Sequence, residues 1–369
     1  MNIHHKNNLI SLTILCIGCF LYLATSCLSN NTKKSEDGIS VTKIKYDSLT
    51  IHKSNKLNDD KYNIIILSNL VDECLFSRNS KTIIKNGIIY ILDRSKNKKL
   101  VKFDTNGNAI SSIGKFGQGP EEYMNITDFD VSDNGDVYLL DAMQNIVLTF
   151  NKDGKFISRN SISHNAFGIK QLTDGCFLLG IYPWDEGNSK HSLIKINRSF
   201  EDIQNIVLKN KKFDYNYLFQ FPEIGESDNG FYSFNYEINN NITILNSNGE
   251  ICAIYAIDFG ASNVPDEEKE NVENNNIENY RFIIGGTYYD NNNLWFNLYD
   301  KGNYGWVKVD LTNDEATYVN VESNQNYVGF HNGYPIITSN DIDNCPIEIS
   351  DSIKNLVEKQ EYQFIAIHE

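Results

Sequence analysis

Short runs of apolar residues alternate with polar turns from Tyr62 to the carboxyl end, and the pattern repeats. GIIYILD at 87–93 is followed by LVKFDTNGNAI at 100–110, and GDVYLLD at 135–141 by VLTFNKDGKFI at 147–157. Gly87, Tyr90 and Asp93 map onto Gly135, Tyr138 and Asp141 at an offset of 48. Phe103, Gly107 and Ile110 map onto Phe150, Gly154 and Ile157 at 47, so a loop loses one residue. A repeat of this length built from strands and tight turns predicts a β-propeller. Six second strands start at turn residues: Gly87, Gly135, Gly175, Gly230, Asn293 and Gly333. The expected fold is therefore all-β, a six-bladed propeller of four-stranded antiparallel blades. Asn-Gly and Asp-Gly hairpins at 105–107, 152–154 and 247–249 supply the positive φ that such turns need. Ring closure calls for one blade made from both chain ends, and Ile64–Leu67 pairing with Gln363–Ile367 is the expected seam. One stretch departs from the strand pattern. Pro265, followed by Asp266, Glu267 and Glu268, is a helix-start signal, and it predicts a short helical insertion near 265–280.

The amino end reads as a targeting segment. Lys6 precedes an apolar run of 16 residues, Leu9–Ala24, too short for a membrane span and suited to a signal sequence. It ends in Leu23-Ala24-Thr25-Ser26-Cys27, which resembles a bacterial lipoprotein signal. The resemblance implies cleavage after residue 26 and lipidation of Cys27. Acyl chains anchor a protein at about 0.8 kcal/mol per buried CH₂, so membrane attachment is expected through the lipid alone. Residues 27–61, rich in Ser, Asn, Lys and Asp, read as the lipidated cysteine and a tether with one strand at Ile39–Tyr46. The propeller is expected over 62–369.

A second resemblance covers the chain from Tyr62 onward. Gly117-Gln118-Gly119-Pro120-Glu121-Glu122-Tyr123, Leu67-Ser68-Asn69-Leu70 and Tyr255-Ala256-Ile257-Asp258-Phe259-Gly260 resemble segments of the six-bladed propeller lipoproteins of Bacteroides-type bacteria, related in style to NHL and TolB-like propellers. That family implies the fold, export and an outer-membrane address, periplasmic or surface-exposed. It carries no catalytic residues over to this chain.

Composition narrows the chemistry. The formal net charge of −15 argues against a nucleic-acid partner, which would require basic patches. Of seven cysteines, Cys16 and Cys19 fall in the signal and Cys27 is the lipid site. Cys74, Cys176, Cys252 and Cys345 lie in different blades with no metal-ligand spacing, and their pairing is open. GxSxG, HExxH and P-loop motifs are absent. No catalytic or metal-ligating residue is therefore singled out, and binding is favoured over catalysis. Calcium is the one cofactor left open, because its ligands could come from separate blades. Channel-facing candidates are Lys85, Thr127, Asp128, Gln171, Glu223, Arg281 and Asn326.

In a propeller the links from each outer strand D to the next inner strand A share a face with the B–C loops. The longest, most aromatic loops fall there, and function concentrates on such loops. Three clusters are candidates for ligand binding: Tyr182, Trp184 and Asp185; Tyr215 and Tyr217 within the alternating run 213–221; and Tyr304 with Trp306, in a B–C connection read as Tyr299–Trp306. Glu121, Glu122 and Tyr123 join them. Flat rings beside carboxylates suit a glycan, a peptide or an envelope protein; blade-to-blade packing by aromatics is the plain alternative. The expected function is an exported, lipid-anchored binding module. The rivals are a metal-dependent hydrolase or lyase working in the channel, and a structural subunit of an envelope complex.

Overall fold

The computed structural model describes residues 32–34, 38–57, 61–68, 72–182, 185, 190–209, 223–236, 238–269, 276–321, 327–338, 345–360 and 363–369. Six small antiparallel sheets form the blades of a propeller. Blade 1 is Lys81–Lys85, Ile88–Asp93, Lys99–Asp104 and Ala109–Ile113. Blade 2 is Asp128–Val131, Val137–Asp141, Ile146–Phe150 and Phe156–Ser161. Blade 3 is Ala166–Gln171, Phe177–Ile181, His191–Ile196 and Asp202–Leu208. Blade 4 is Ile224–Glu226, Tyr232–Phe234, Asn241–Leu245 and Ile251–Asp258. Blade 5 is Arg281–Tyr289, Asn293–Asp300, Asn303–Asp310 and Glu315–Val321. In blade 6, Tyr327–His331, Tyr334–Ile337 and Gln363–His368 are completed by Tyr62–Leu67. Gln363 pairs with Leu67 and His368 with Tyr62, so the ring closes at the expected seam. All six second strands start at or within two residues of the turn residues read from sequence.

The repeated Asp at the end of strand B has a structural task. Asp93 and Asp141 are fully buried. Asp141 Oδ2 accepts the N–H groups of Met124 and Asn125 from the preceding D–A link, and Oδ1 accepts those of Met143 and Gln144 from the following turn. Asp93 does the same for Ser77 and Ser95. One carboxylate thus satisfies backbone donors from two loops that strand pairing leaves unpaired.

The segment read as a tether is largely part of the ring. Ser40–Lys45 adds in parallel to the outer strand of blade 4, from Ser40 opposite Ala253 to Lys45 opposite Asp258. Thr50–Ser54 adds in parallel to the outer strand of blade 5. Thr32–Lys34 pairs with Ser40–Thr42 beyond it. Between the two added strands, Tyr46 plunges into the apolar layer between blades 4 and 5, beside Ile257, Phe259, Leu298 and Tyr318. This strap wraps blades 4 and 5 before the chain closes blade 6.

Around the expected insertion, the described residues form single 3₁₀ turns at Gly260–Ser262 and Ile277–Asn279, and Pro265 opens a turn closed by Glu268 N–H. Residues 270–275 lie outside the description. The α-helix Asp351–Gln360 sits between strands B and C of blade 6, where no helix was expected.

Candidate functional site

The loop face holds most of the residues singled out from sequence, and their surroundings are largely internal. Lys115–Phe116 pairs with Glu122–Tyr123, and Glu122 Oε2 accepts the Gly119 N–H at 2.8 Å. Arg159 clasps this crossover by donating to the carbonyls of Gly119 and Glu122 and to Gln144 Oε1. Tyr123 is buried, and burial pushes its phenol up to about 12. Of the motif's acids, only Glu121 is exposed. Tyr182 is half-buried and edge-on to Phe167 at 5.5 Å. Asp185 is buried against His164 Nδ1, whose Nε2 lies 2.6 Å from Asp202.

Tyr304 and Trp306 do not lie in a long B–C loop. Lys301 and Gly302 both take positive φ, 52° and 90°, and make a two-residue hairpin. Tyr304 and Trp306 therefore belong to strand C, with Trp306 buried edge-on to Tyr327. Trp184, Tyr215, Tyr217, Cys27 and Asn326 lie outside the described residues. Phe116 and Met143, 61% and 71% exposed, project from the two loops that Arg159 joins.

The channel carries a charge ladder across blades 1 to 4. Lys81 Nζ lies 2.7 Å from Asp128, which also meets Arg94 and accepts the Ile169 N–H. Lys170 Nζ lies 2.8 Å from both Asp130 and Glu226. Burial opposes the charge of Lys170, but the two carboxylates outweigh it and hold the amine well above its ordinary value. Burial likewise opposes Asp128, and Lys81 with Arg94 outweighs it and holds the carboxyl low. Asp128, Asp130 and Glu226 are thus already matched by lysines. No group of three or more His, Cys, Asp or Glu side chains is arranged to hold a metal among the described residues. Of the channel candidates, Lys85 pairs with Asp133, and the Thr127 hydroxyl accepts the Ala142 N–H. Glu223 lies beside the phenol of Tyr327, which desolvation and that carboxylate hold well above its ordinary value. Arg281 pairs instead with Asp300 and with Asp47 of the strap. The four cysteines in the blades are free thiols, with Cys74 and Cys345 buried.

A cavity of about 630 Å³ opens on the opposite face, among the A–B and C–D turns. It is a cleft between blades 2 and 3. Higher in that interface, Leu140, Val147 and Ile169 seal the two blades together. Toward the turns, blade 2 presents Tyr138, Thr149, Ser158 and Asn160, and blade 3 presents Phe177, Arg198 and Phe200. The inner end reaches Lys85, Gln171 and Glu226 at the channel. Hydroxyl, amide and guanidinium groups therefore line a space edged by aromatic rings.

Phe200 marks this cleft in a second way. The C–D turns of blades 1, 2 and 4 put Gly107, Gly154 and Gly249 at one equivalent position, with φ of 82°, 81° and 77°. Blade 3 has Phe200 there, at φ 64°. A side chain in this left-handed region costs roughly 1–2 kcal/mol. The ring it places stacks on Phe177 at 5.1 Å, and the adjoining Arg198 reaches over Gly175 to the Asp174 carbonyl. Retained strain of this kind clusters at functional sites as well as in tight turns, which makes Phe200 a candidate. Arg198 and Phe200 lie on the turn face, away from the long aromatic loops where a site was expected. The available signal was the break in the glycine series, with Asn197-Arg198-Ser199-Phe200-Glu201 standing where Asn151-Lys152-Asp153-Gly154-Lys155 stands one blade earlier.

A family model described as "Domain of unknown function (DUF4934)" matches residues 41–365. Among solved structures, the chain is similar to a Bacteroides fragilis protein whose name proposes export. The TM-score is 0.69 at 16% identity, over 89% of this chain and 99% of that one. It is also similar to a member of the DUF4221 family from Bacteroides vulgatus, with a TM-score of 0.57 at 11% identity, over 85% and 98% of the two chains. At these identities the likeness is one of fold. None of the curated proteins matches.

Proposed function

The chain belongs to the DUF4934 family, a domain of unknown function, and from that footing we propose that it is an exported, lipid-anchored propeller that binds a polar ligand in the cleft between blades 2 and 3. The observation that carries this reading is the cleft itself, a cavity of about 630 Å³ lined by hydroxyl, amide and guanidinium groups beside aromatic rings. Such a lining suits a glycan best. Sugar hydroxyls would exchange hydrogen bonds with Ser158, Asn160 and Gln171, and an apolar ring face would meet the edges of Phe177 and Phe200. Export is supported by the signal-like amino end and by the name of the Bacteroides fragilis relative. Lipidation at Cys27 and an outer-membrane address rest on the sequence resemblance.

The test is retention of the purified protein on a glycan array and on an immobilised peptide library. Asn160→Ala should weaken retention of a selected glycan roughly fivefold, the value of about one hydrogen bond. Arg198→Ala should weaken it as well. A second reading puts the ligand on the loop face, where Phe116 and Met143 project. Under that reading Phe116→Ala with Met143→Ala would abolish retention, the cleft variants would leave it unchanged, and a protein partner would replace the glycan. For the anchor, Cys27→Ala should release the protein from the membrane fraction.

A further inference from the structure

The strap carries information about how the molecule sits in the cell envelope. The chain is strongly acidic, at −15, yet residues 38–57 hold four lysines against one acid. Within them, Ser40–Lys45 and Thr50–Ser54 are strands added outside blades 4 and 5, at the rim of the ring. Lys43 and Lys56 meet Asp258 and Glu348, and His52 lies 4.0 Å from Glu315. Lys45 and Lys53 are exposed, with no carboxylate within ion-pair distance among the described residues. The same edge is the one from which the amino-terminal segment departs. Only four residues separate Cys27 from Thr32, the first residue of the outermost strand. Five residue steps reach at most about 17 Å.

Taking lipidation of Cys27 from the proposed function as its premise, we infer that the rim of blades 4 and 5 is a membrane-facing edge, held against an anionic phospholipid surface by its lysines. A free tether of 35 residues would impose no orientation. A short leash on a basic rim imposes one. The propeller stands on its side, with the loop face and the turn face both open to solvent. Basic side chains next to a negatively charged leaflet are attracted to it, and the attraction falls away within a Debye length. The cleft between blades 2 and 3 is then turned away from the bilayer and open to large ligands.

The test uses the full lipidated protein in vesicles of phosphatidylethanolamine and phosphatidylglycerol carrying a nitroxide headgroup lipid. Cys252, exposed on the outer strand of blade 4, takes a fluorophore in a Cys176→Ser background. The control label sits at Ile157→Cys on the outer strand of blade 2, with Cys252→Ser. The lipid nitroxide should quench the Cys252 label at least threefold more than the blade 2 label. Replacing phosphatidylglycerol by phosphatidylcholine, or introducing Lys45→Glu with Lys53→Glu, should bring the ratio toward one. Equal quenching on vesicles that retain the protein would overturn the orientation and leave lipidation standing. A preference for Cys252 that survives both changes would overturn the role of the lysines. Membrane retention of Cys27→Ala would remove the premise itself.

Discussion

Tyr46→Ala tests whether the strap is a structural part of the ring. Tyr46 is 3% exposed between blades 4 and 5. Its ring stands edge-on to Phe259 at 5.2 Å and lies under the Arg281 guanidinium at 5.7 Å. A buried aromatic side chain removes on the order of 150–250 Å² from water. At about 25 cal/mol per Å² that is about 4–6 kcal/mol as an upper bound. Measured losses for large-to-small core substitutions of aromatics are about 3–5 kcal/mol. For a domain of this size each kcal/mol moves the melting temperature by about 2 °C, so the variant should melt about 6–10 °C lower. Urea denaturation followed by tryptophan fluorescence and by circular dichroism should give matching midpoints shifted to lower denaturant. Tyr46→Phe keeps the ring and should retain most of the stability. A Tyr46→Ala protein within about 0.5 kcal/mol of the parent would mean that residues 40–54 are a dispensable tether, and the strap argument would fail.

Further outcomes follow from the ion pairs and the cleft. The hydrogen bond from Lys43, with that from Asn263, holds the Asp258 carboxyl down to about 2. The unfolded value is about 3.9, so the contribution of Asp258 to stability is complete above about pH 5 and disappears as pH falls through about 2. Asp258→Asn should flatten the stability profile in that window, and an unchanged acid slope would show that the strap contact is not made in solution. Lys170→Met strands the buried Asp130 carboxylate, and takes a partner from the half-buried Glu226, and should destabilise by about 3–5 kcal/mol; a neutral effect in urea titration would mean that the channel is wetter than this geometry implies. Phe200→Gly trades a strained backbone against a buried ring, so its net stability loss should be smaller than that of Tyr46→Ala, while ligand retention falls. Equal retention would leave the strain at Phe200 without a functional role.

The propeller was legible because each blade repeats its own punctuation. A turn glycine or asparagine stands at or just before the start of each second strand, and a buried Asp closes that strand in blades 1 and 2. The seam between Tyr62–Leu67 and Gln363–His368 was legible for a general reason, since an open ring leaves unpaired edges. The strap was legible only in part. Ser40–Lys45 was anticipated as a strand, but Thr-Ile-His-Lys-Ser at 50–54 has one apolar residue and no turn partner. Its strand character comes from the waiting edge of blade 5, which no local pattern reports. Trp306 was misplaced because Lys301-Gly302 is a tighter hairpin than the surrounding aromatics suggested. The cleft was hidden for another reason. Its residues come from the mid-strand and turn positions of two adjoining blades, and only pairing those blades in space brings Asn160 and Arg198 to one cavity.

The most direct measurement is a structure of the complex with a glycan selected on the array. The account predicts ligand density between blades 2 and 3, within hydrogen-bond distance of Ser158 or Asn160 and against the ring of Phe200. Density on the loop face beside Phe116 and Met143, with the cleft holding only solvent, would contradict it.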